Sequence, residues 1–384
     1  MRITRVETFK YWVHWRNWLF VRLETDDGLY GWGEASIHGG VGAVETAVHE
    51  LAQTLIGHDP AGVEAHWQRM YHAWRWRGGP TLMTALAALD TCLWDIEGKR
   101  LGVPLYRLLG GPLRTRIRAY ASHWLGGCRT PEAVAEGTRE AARRGFTAFK
   151  WSPLRDSDLR EGEDAALSRA AELMAAAREA GGDSMDIMVE CAEWFTHRTA
   201  VLAARALAPY RPYWFEEPLP FENPKAMAQL KRELVSVGVP LATGERLLSR
   251  WEFRELVESG GADVLQPDLI HAGGITEVRK IASLADTYYL PIAPHNSSGP
   301  IANLLSIHLA STIPNFLILE EIEPETEIRD SICTHPLTPE NGFFPLPTEP
   351  GIGTDLKLDV LEANADEHRF RPQPTANRTE PPRY

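Results

Sequence analysis

The sequence predicts an α/β protein in which a parallel β/α barrel follows a smaller α+β region. Apolar runs between residues 186 and 320 each end in a charged residue, and these endings recur every 23–29 residues. One strand with its crossover helix occupies about 30 residues, so each step matches one β/α unit. An antiparallel pattern precedes the repeats, and 384 residues are many for a single core. We therefore expect two domains.

The first predicted domain, residues 1–115, opens with an antiparallel meander. Residues 2–9 alternate like a strand, and two further strands flank the turn residues Asp26-Asp27-Gly28. Helical spacing follows, most clearly from Thr81 to Lys99. Glycines and prolines between residues 101 and 112 then interrupt the pattern, which places the domain boundary there.

An aromatic segment, residues 11–18, connects the first two predicted strands. It contains three tryptophans, His14 and Arg16. Two interpretations stay open. The segment could pack as a hydrophobic staple under the sheet, or it could be a flap that closes over a polar substrate.

The second predicted domain, residues 116–322, carries the β/α rhythm. Its first strand ends at Ser122, and Thr130-Pro131 supply an N-cap and an N1 proline for the first helix. We interpret the charged segment 155–163 as a loop. The third region, residues 323–384, is turn-rich and is expected to return to the first domain, with about its last 20 residues loosely held.

Charged residues at the strand ends predict one polar site. In a closed barrel, the carboxyl ends of all strands lie at one rim, where active sites are built. A single carboxylate after a strand often only caps the next helix, but six such endings in succession favour a shared cavity. Neighbouring carboxylates repel unless a cation lies between them, and a hard divalent cation such as Mg²⁺ prefers oxygen ligands. The predicted ring consists of Glu190, Glu216, Glu245, Asp268, His295 and Glu320.

Composition excludes several classes of partner. The net charge of −12 argues against nucleic acid and anionic membranes. The sequence has no leader of the export type and no apolar run of about 18 residues. Its four cysteines have no paired spacing. These features predict a cytoplasmic protein whose partner is a small molecule.

Several short motifs together resemble the enolase superfamily, and within it the mandelate racemase subgroup and its sugar-acid dehydratases. Residues 1 to 360 take part in this resemblance. It implies a (β/α)7β modified TIM barrel, with a capping domain formed by the N-terminal region and the C-terminal tail, and a homo-oligomer. The matching motifs are Gly31-Trp32-Gly33-Glu34, Leu93-Trp94-Asp95-Ile96, Phe215-Glu216-Glu217-Pro218, Ala242-Thr243-Gly244-Glu245-Arg246, Gln266-Pro267-Asp268, His271-Ala272-Gly273-Gly274 and Ala293-Pro294-His295-Asn296.

The resemblance also implies roles for individual residues. Glu190, Glu216 and Glu245 would bind Mg²⁺, the cofactor. His295 would be the base, held and made more basic by Asp268. Substrate contacts are expected from Lys150 and Glu320, which would bind the carboxylate of the substrate, and also from His271, His14, Arg77 and His123.

Three positions depart from the family pattern. The first metal ligand is Glu190 where the family usually has aspartate. Ser152 replaces the second lysine of a Lys-x-Lys motif, and Ala192 replaces a histidine that acts as general acid. Racemisation needs a base on each face of the substrate, so the loss of this lysine disfavours it. Dehydration needs one base and one acid, and His123, His14, His38 or protonated His295 could supply the proton.

The resulting hypothesis is a dehydratase that converts a sugar acid, an aldonate or an aldarate, to a 2-keto-3-deoxy acid. An epimerase, racemase or cycloisomerase on the same scaffold is the alternative. A barrel that binds acids without turnover is a third interpretation, but a binding protein has no need of a base.

Overall fold

The computed structural model describes residues 1–14 and 16–365. A three-stranded antiparallel sheet and three long helices form the first domain, which we call the cap. Its elements are β1 (Ile3–Val13), β2 (Arg16–Thr25), β3 (Tyr30–Glu34), α1 (Val41–Ala52), α2 (Val63–His72), α3 (Pro80–Leu101) and the short α4 (Leu105–Leu108).

Close packing of β3 on α3 explains the glycines of the Gly-Trp-Gly-Glu motif. A Cβ atom on Gly31 would lie 2.1 Å from the carbonyl oxygen of Cys92, and one on Gly33 would lie 2.1 Å from that of Ala88. Only glycine therefore fits at these two positions. The sheet and α3 enclose the apolar core of the cap, which includes Leu19, Val21 and Leu89.

The barrel follows, with strands and helices alternating except that α6 and α7 both follow β5 and that α11 and α12 are consecutive. Its elements are β4 (Arg116–Ser122), α5 (Pro131–Arg143), β5 (Ala148–Trp151), α6 (Asp156–Glu161), α7 (Glu163–Gly181), β6 (Asp186–Glu190), α8 (His197–Leu207), β7 (Trp214–Glu216), α9 (Pro224–Val235), β8 (Leu241–Thr243), α10 (Arg250–Ser259), β9 (Val264–Leu265), α11 (Gly274–Thr287), α12 (Pro300–Thr312) and β10 (Leu319–Ile322).

The parallel sheet closes on itself. β4 to β9 pair in sequence order, and β10 pairs in parallel with β4. Between β9 and β10, Ile292 bridges both Leu265 and Phe316, so a single residue holds the place of the seventh strand. The result is the predicted (β/α)7β barrel, whose eight strand positions bring all carboxyl ends to one rim.

The C-terminal segment contacts both domains. It contains α13 (Thr326–Ile332), β11 (Phe343–Pro345) and α14 (Leu358–Ala363). β11 pairs antiparallel with β4, so part of the segment 323–384, which was expected to return to the first domain, packs on the barrel instead. Gly351 bridges Pro104 next to α4, and Asn364 donates to the carbonyl of Trp12 in the cap. The prediction for the last 20 residues or so falls on 366–384, outside the described residues.

Two other local predictions are wrong. The aromatic segment 11–18 is not a separate connection, because β1 and β2 continue through it with Tyr11 opposite Trp18 and Val13 opposite Arg16. The charged segment 155–163 contains the helix α6 rather than only a loop. Within residues 1–14 and 16–365, none of the helices is both long and apolar enough to cross a membrane.

The cap meets the barrel through buried polar contacts. Glu34, at the end of β3, accepts hydrogen bonds from the backbone of Gly299 (2.7 Å) and Ala302 (3.0 Å) at the start of α12. Asp90 of α3 accepts from the hydroxyl of Thr276 in α11 at 2.6 Å. The cap is thereby fixed over the rim where the strands end.

Candidate active site

Strand alternation explains why the site residues face one another. The barrel interior is filled by a small cluster that includes Ala148, Met188, Trp214, Ala293 and Ile318. Side chains two positions apart on a strand point the same way. The residues two positions later, which therefore project from the rim above this cluster, are Lys150, Glu190, Glu216, His295 and Glu320.

Three of the predicted glutamates converge. One carboxylate oxygen each from Glu190, Glu216 and Glu245 lies within 4.8 Å of the other two. Burial, together with neighbouring carboxylates, raises the pKa of Glu216 and of Glu245 to about 7. Three hard oxygen donors with excess negative charge fit a divalent cation, and enolase-superfamily sites use Mg²⁺.

Lys150 lies among these carboxylates and is almost fully buried. Its Nζ is 3.3 Å from Glu190 Oε2 and 3.0 Å from Glu320 Oε1, and it also forms an ion pair with Glu216. Burial opposes the charged form, but Glu216 and Glu320 raise the pKa of Lys150 well above its ordinary value. The lysine is therefore a permanent cation next to the proposed metal ligands.

His295 and Asp268 form a hydrogen-bonded pair. Nδ1 of His295 lies 2.6 Å from Asp268 Oδ2, and the backbone N–H of Ile270 donates to Oδ1 of the same carboxylate at 2.8 Å. Nε2 of His295 faces Glu245, 3.5 Å from Oε2. Burial lowers the pKa of His295, but Glu245 and Asp268 outweigh it and raise the pKa to about 10. A cation bound by Glu245 would offset part of this pull and make the neutral imidazole available.

Glu320 is held by three donors. Ser122 Oγ donates to Oε1 at 2.6 Å, the backbone N–H of Asn296 donates to Oε2 at 2.9 Å, and Lys150 lies beside Oε1. Burial would raise its pKa, but Lys150 and His295 keep the pKa of Glu320 well below the usual range. The carboxylate is therefore ionised and fixed in orientation.

Two arms of one cavity meet at this cluster. Five residues line both arms: His38, Glu245, Arg246, His295 and Ser297. The arm that we call the α10 arm has a volume of about 680 Å³ and runs past Leu248 and Glu252. The α6 arm has about 900 Å³ and runs past Ser152 and Arg155.

The remaining predicted substrate contacts divide into two groups. His271 lines the α10 arm, with Nδ1 2.8 Å from Thr84 Oγ1, and His123 lines the α6 arm. His14 is exposed at the end of β1, and exposed Arg77 donates to His72 Nδ1 at 3.0 Å. Among the described residues that line the two arms, neither His14 nor Arg77 occurs. The structure thus does not bring these two to the site.

Sequence reasoning missed several supporting residues. Arg246 pairs with Glu245 (2.9 Å) and with Glu217, Trp214 Nε1 donates to Glu216 Oε2 at 2.9 Å, and Ser122 holds Glu320. Ser122 and Arg246 carried a usable signal, because Ser122 ends a predicted strand and Arg246 directly follows a predicted ligand. Trp214 carried none, because a tryptophan within a strand usually indicates packing.

Both domains match known families. Residues 7–110 match the N-terminal domain of mandelate racemase / muconate lactonizing enzyme, and residues 133–360 match the enolase C-terminal domain-like family. Among curated proteins, the chain is 39% identical over 365 residues to D-galactonate dehydratase of Ralstonia nicotianae, covering 93% of this chain and 92% of the relative. It is 37% identical to D-galactonate dehydratase of Pectobacterium atrosepticum, covering 94% of each.

Solved structures agree with this assignment. An enolase of Agrobacterium radiobacter, crystallised with Na and L-malate, superposes with a TM-score of 0.89 at 34% identity and covers 98% of each chain. The mandelate racemase/muconate lactonizing enzyme of Jannaschia sp. CCS1 superposes with a TM-score of 0.88 at 31% identity, covering 96% of this chain and 99% of the other. The chain therefore belongs to the mandelate racemase / muconate lactonizing enzyme family of the enolase superfamily.

Proposed function

We propose that this protein is a Mg²⁺-dependent hydro-lyase that dehydrates a sugar acid to a 2-keto-3-deoxy acid. The observation that carries the proposal is the His295–Asp268 pair, which lies against the cluster of Glu190, Glu216 and Glu245. The D-galactonate dehydratases that match most of the chain support the same reaction class.

The chemistry begins at the carbon next to the substrate carboxylate. Its proton is very weakly acidic, because removing it leaves a second negative charge on the acid group. The charge that develops would be stabilised by Mg²⁺ held at Glu190, Glu216 and Glu245. Lys150 adds a fixed positive charge beside the same position, and its contact with Glu320 keeps it there.

His295 is suited to take this proton. Asp268 accepts a hydrogen bond from Nδ1–H, so the second ring nitrogen, Nε2, is the one left to act as the base. Nε2 is also the nitrogen that faces Glu245, on the side of the metal ligands. Once protonated, the imidazolium could return the proton to the β-hydroxyl as it leaves, if that hydroxyl lies on the same face.

The departures at Ser152 and Ala192 favour dehydration over racemisation. Ser152 lines the α6 arm but its hydroxyl is no base at neutral pH, and Ala192 has no proton to give. Only one face of the substrate is then served by a strong base. His123 also lines the α6 arm, with Nδ1 3.1 Å from Ser122 Oγ, but burial lowers its pKa and makes it a weaker acid candidate than protonated His295.

A substrate screen tests the proposal. The purified protein with Mg²⁺ would be incubated with a library of aldonic and aldaric acids, and 2-keto acid formation would be measured. We expect at least one acid to be dehydrated, and activity to disappear with EDTA. Exchange of the α-proton without 2-keto acid would instead favour an epimerase or cycloisomerase.

A cytoplasmic location is also proposed, on the support that all four cysteines are free thiols. The homo-oligomer expected from the sequence stays a prediction, which sedimentation velocity would test.

A further inference from the structure

We infer that the substrate is a diacid, with its reacting carboxylate at the glutamate cluster and its far carboxylate against Arg155 in the α6 arm. This inference rests on the proposed function and narrows it from sugar acids in general to aldarates. The juxtaposition that carries it is a half-buried arginine, Arg155, that lines the same arm as the buried Lys150 and Glu320.

The two arms of the cavity differ in charge. Beyond the residues that both arms share, the α10 arm is lined by three glutamates, Glu222, Glu252 and Glu255, and by no lysine or arginine among its described lining residues. In the α6 arm, Arg160 pairs with Asp156 at 2.9 Å, which leaves Arg155 as the excess charge beyond the catalytic centre. An anionic end group is therefore repelled from the α10 arm and attracted to the α6 arm.

Arg155 keeps its charge available. Its guanidinium donates to the carbonyl of Gly126, which is a neutral acceptor. The nearby carboxylate of Asp158 is bound by Arg129, with both oxygens engaged at 2.5 and 2.6 Å. Asp158 instead holds the backbone N–H of Arg155 at 3.0 Å, which fixes the start of the arginine side chain. A guanidinium anchored in this way presents a planar donor pair that matches a carboxylate.

Ser152 opens the path to this arginine. Its short side chain lines the same arm as Lys150 and Arg155, at the position where the family pattern has a lysine. A lysine there would occupy more of the arm and add a second amine, whereas serine leaves room and offers a hydroxyl partner. Ser157 and His123 add further polar groups to the same walls, as a chain of hydroxylated carbons requires.

Matched substrates test the inference directly. An aldarate and the aldonate of the same configuration differ only in whether the last carbon is a carboxylate or a hydroxymethyl group. We expect wild type to prefer the diacid in kcat/KM by about tenfold or more, because a charge-assisted pair to Arg155 is formed only with it. In Arg155→Gln this preference should vanish. The kcat/KM for the diacid should fall, while the kcat/KM for the monoacid should change little. Arg155→Lys should retain part of it.

Arg139→Gln is the control for loss of an arginine outside the arm, because Arg139 is exposed on α5 and does not line the arm. It should leave the turnover of both acids unchanged. Calorimetric binding of the two acids to the Mg²⁺-loaded protein gives a second readout that needs no turnover. Equal or better use and binding of the monoacid by wild type, or equal losses for both acids in Arg155→Gln, would overturn the inference. Aldonate dehydration in that case would leave the proposed function intact.

Discussion

At the scale of single residues, the site depends on carboxylates that are kept close together although they repel. Glu190 is longer than the aspartate of the family pattern, and its Oε1 accepts the backbone N–H of Ala192 at 2.7 Å. Ala192 and Glu193 both have left-handed backbones, with φ of 46° and 59°, so the chain turns sharply just after β6. The extra methylene is thus accommodated by the turn after β6, while Glu190 still converges with Glu216 and Glu245.

Replacing one of these carboxylates should weaken metal binding. We expect Glu245→Gln to lower Mg²⁺ affinity by about tenfold or more, because a neutral amide replaces an anionic ligand. Titration calorimetry on EDTA-treated protein measures this Mg²⁺ affinity. Glu222→Gln is the matched control, since exposed Glu222 lines the α10 arm without joining the cluster, and its Mg²⁺ affinity should match wild type. Unchanged affinity in Glu245→Gln would show that the ion, if bound, lies elsewhere.

Much of the site could be predicted at this scale because its residues follow a rule of position. Each of Glu190, Glu216 and Glu320 ends or lies within a strand, so the chain spacing alone placed them at one rim. His14 and Arg77 followed no such rule and were chosen for their chemistry. Arg155 carried no signal, since its place depends on how α6 begins, and the sequence pattern of that segment is typical of a loop.

At the scale of elements, helix α12 depends on a carboxylate supplied from the cap. Glu34 is fully buried and accepts from Gly299, Ala302 and the hydroxyl of Ser36. It acts like an N-cap from a distant part of the chain, since α12 has no side-chain cap of its own. The segment it fixes is continuous with Asn296 and His295.

Removing this carboxylate should destabilise the protein. We expect Glu34→Ala to lower the free energy of unfolding by about 2 kcal/mol, because buried N–H groups at the start of α12 lose their acceptor. Glu34→Gln keeps an acceptor oxygen and should lose less. Urea denaturation measures both, and the exposed Glu50→Ala serves as the control. A Glu34→Ala variant as stable as wild type would contradict the proposal that Glu34 stabilises the start of α12.

Helices and strands were predicted well where the nearby sequence carried a strong pattern. They were predicted poorly where pairing with a distant strand determined their extent. Helix α3 was expected from 81 to 99 and runs from Pro80 to Leu101. The antiparallel pairing of β1 and β2 was expected, but their continuation into residues 11–18 was missed because that segment contains no glycine or proline turn and few alternating polar residues. The strand before His295 was expected in full, but only Ile292 bridges its neighbours.

At the scale of the whole molecule, His308 connects three parts of the chain. This fully buried residue of α12 accepts the backbone N–H of Tyr106 at Nδ1 (3.1 Å), and its Nε2 lies 3.0 Å from the carbonyl of Ile352. The two contacts require the neutral ring with its proton on Nε2. Burial lowers the pKa of His308 to about 4.

Acid should therefore weaken the fold through His308. The pKa of His308 is lower in the folded protein than the ordinary 6.5. The contribution of the neutral ring to the free energy of unfolding is therefore complete above pH 6.5 and is lost as the pH falls towards 4. The free energy of unfolding is expected to fall by about 3 kcal/mol over this range. In His308→Gln, which cannot titrate, Tm should fall less steeply over this range than in wild type. Parallel Tm curves for the two proteins would contradict the assignment.

The cap and the barrel together enclose one site. The central claim is that His295 removes there the α-proton of an acid bound beside Glu190, Glu216 and Glu245. Release of deuterium to solvent from a sugar acid labelled at its α-carbon, with Mg²⁺, tests this most directly, because dehydration and exchange both break that carbon–deuterium bond. We predict release by wild type and by the exposed-histidine control His49→Asn, and a loss of about 10²-fold or more in His295→Asn. Release by His295→Asn at the wild-type rate would contradict the account.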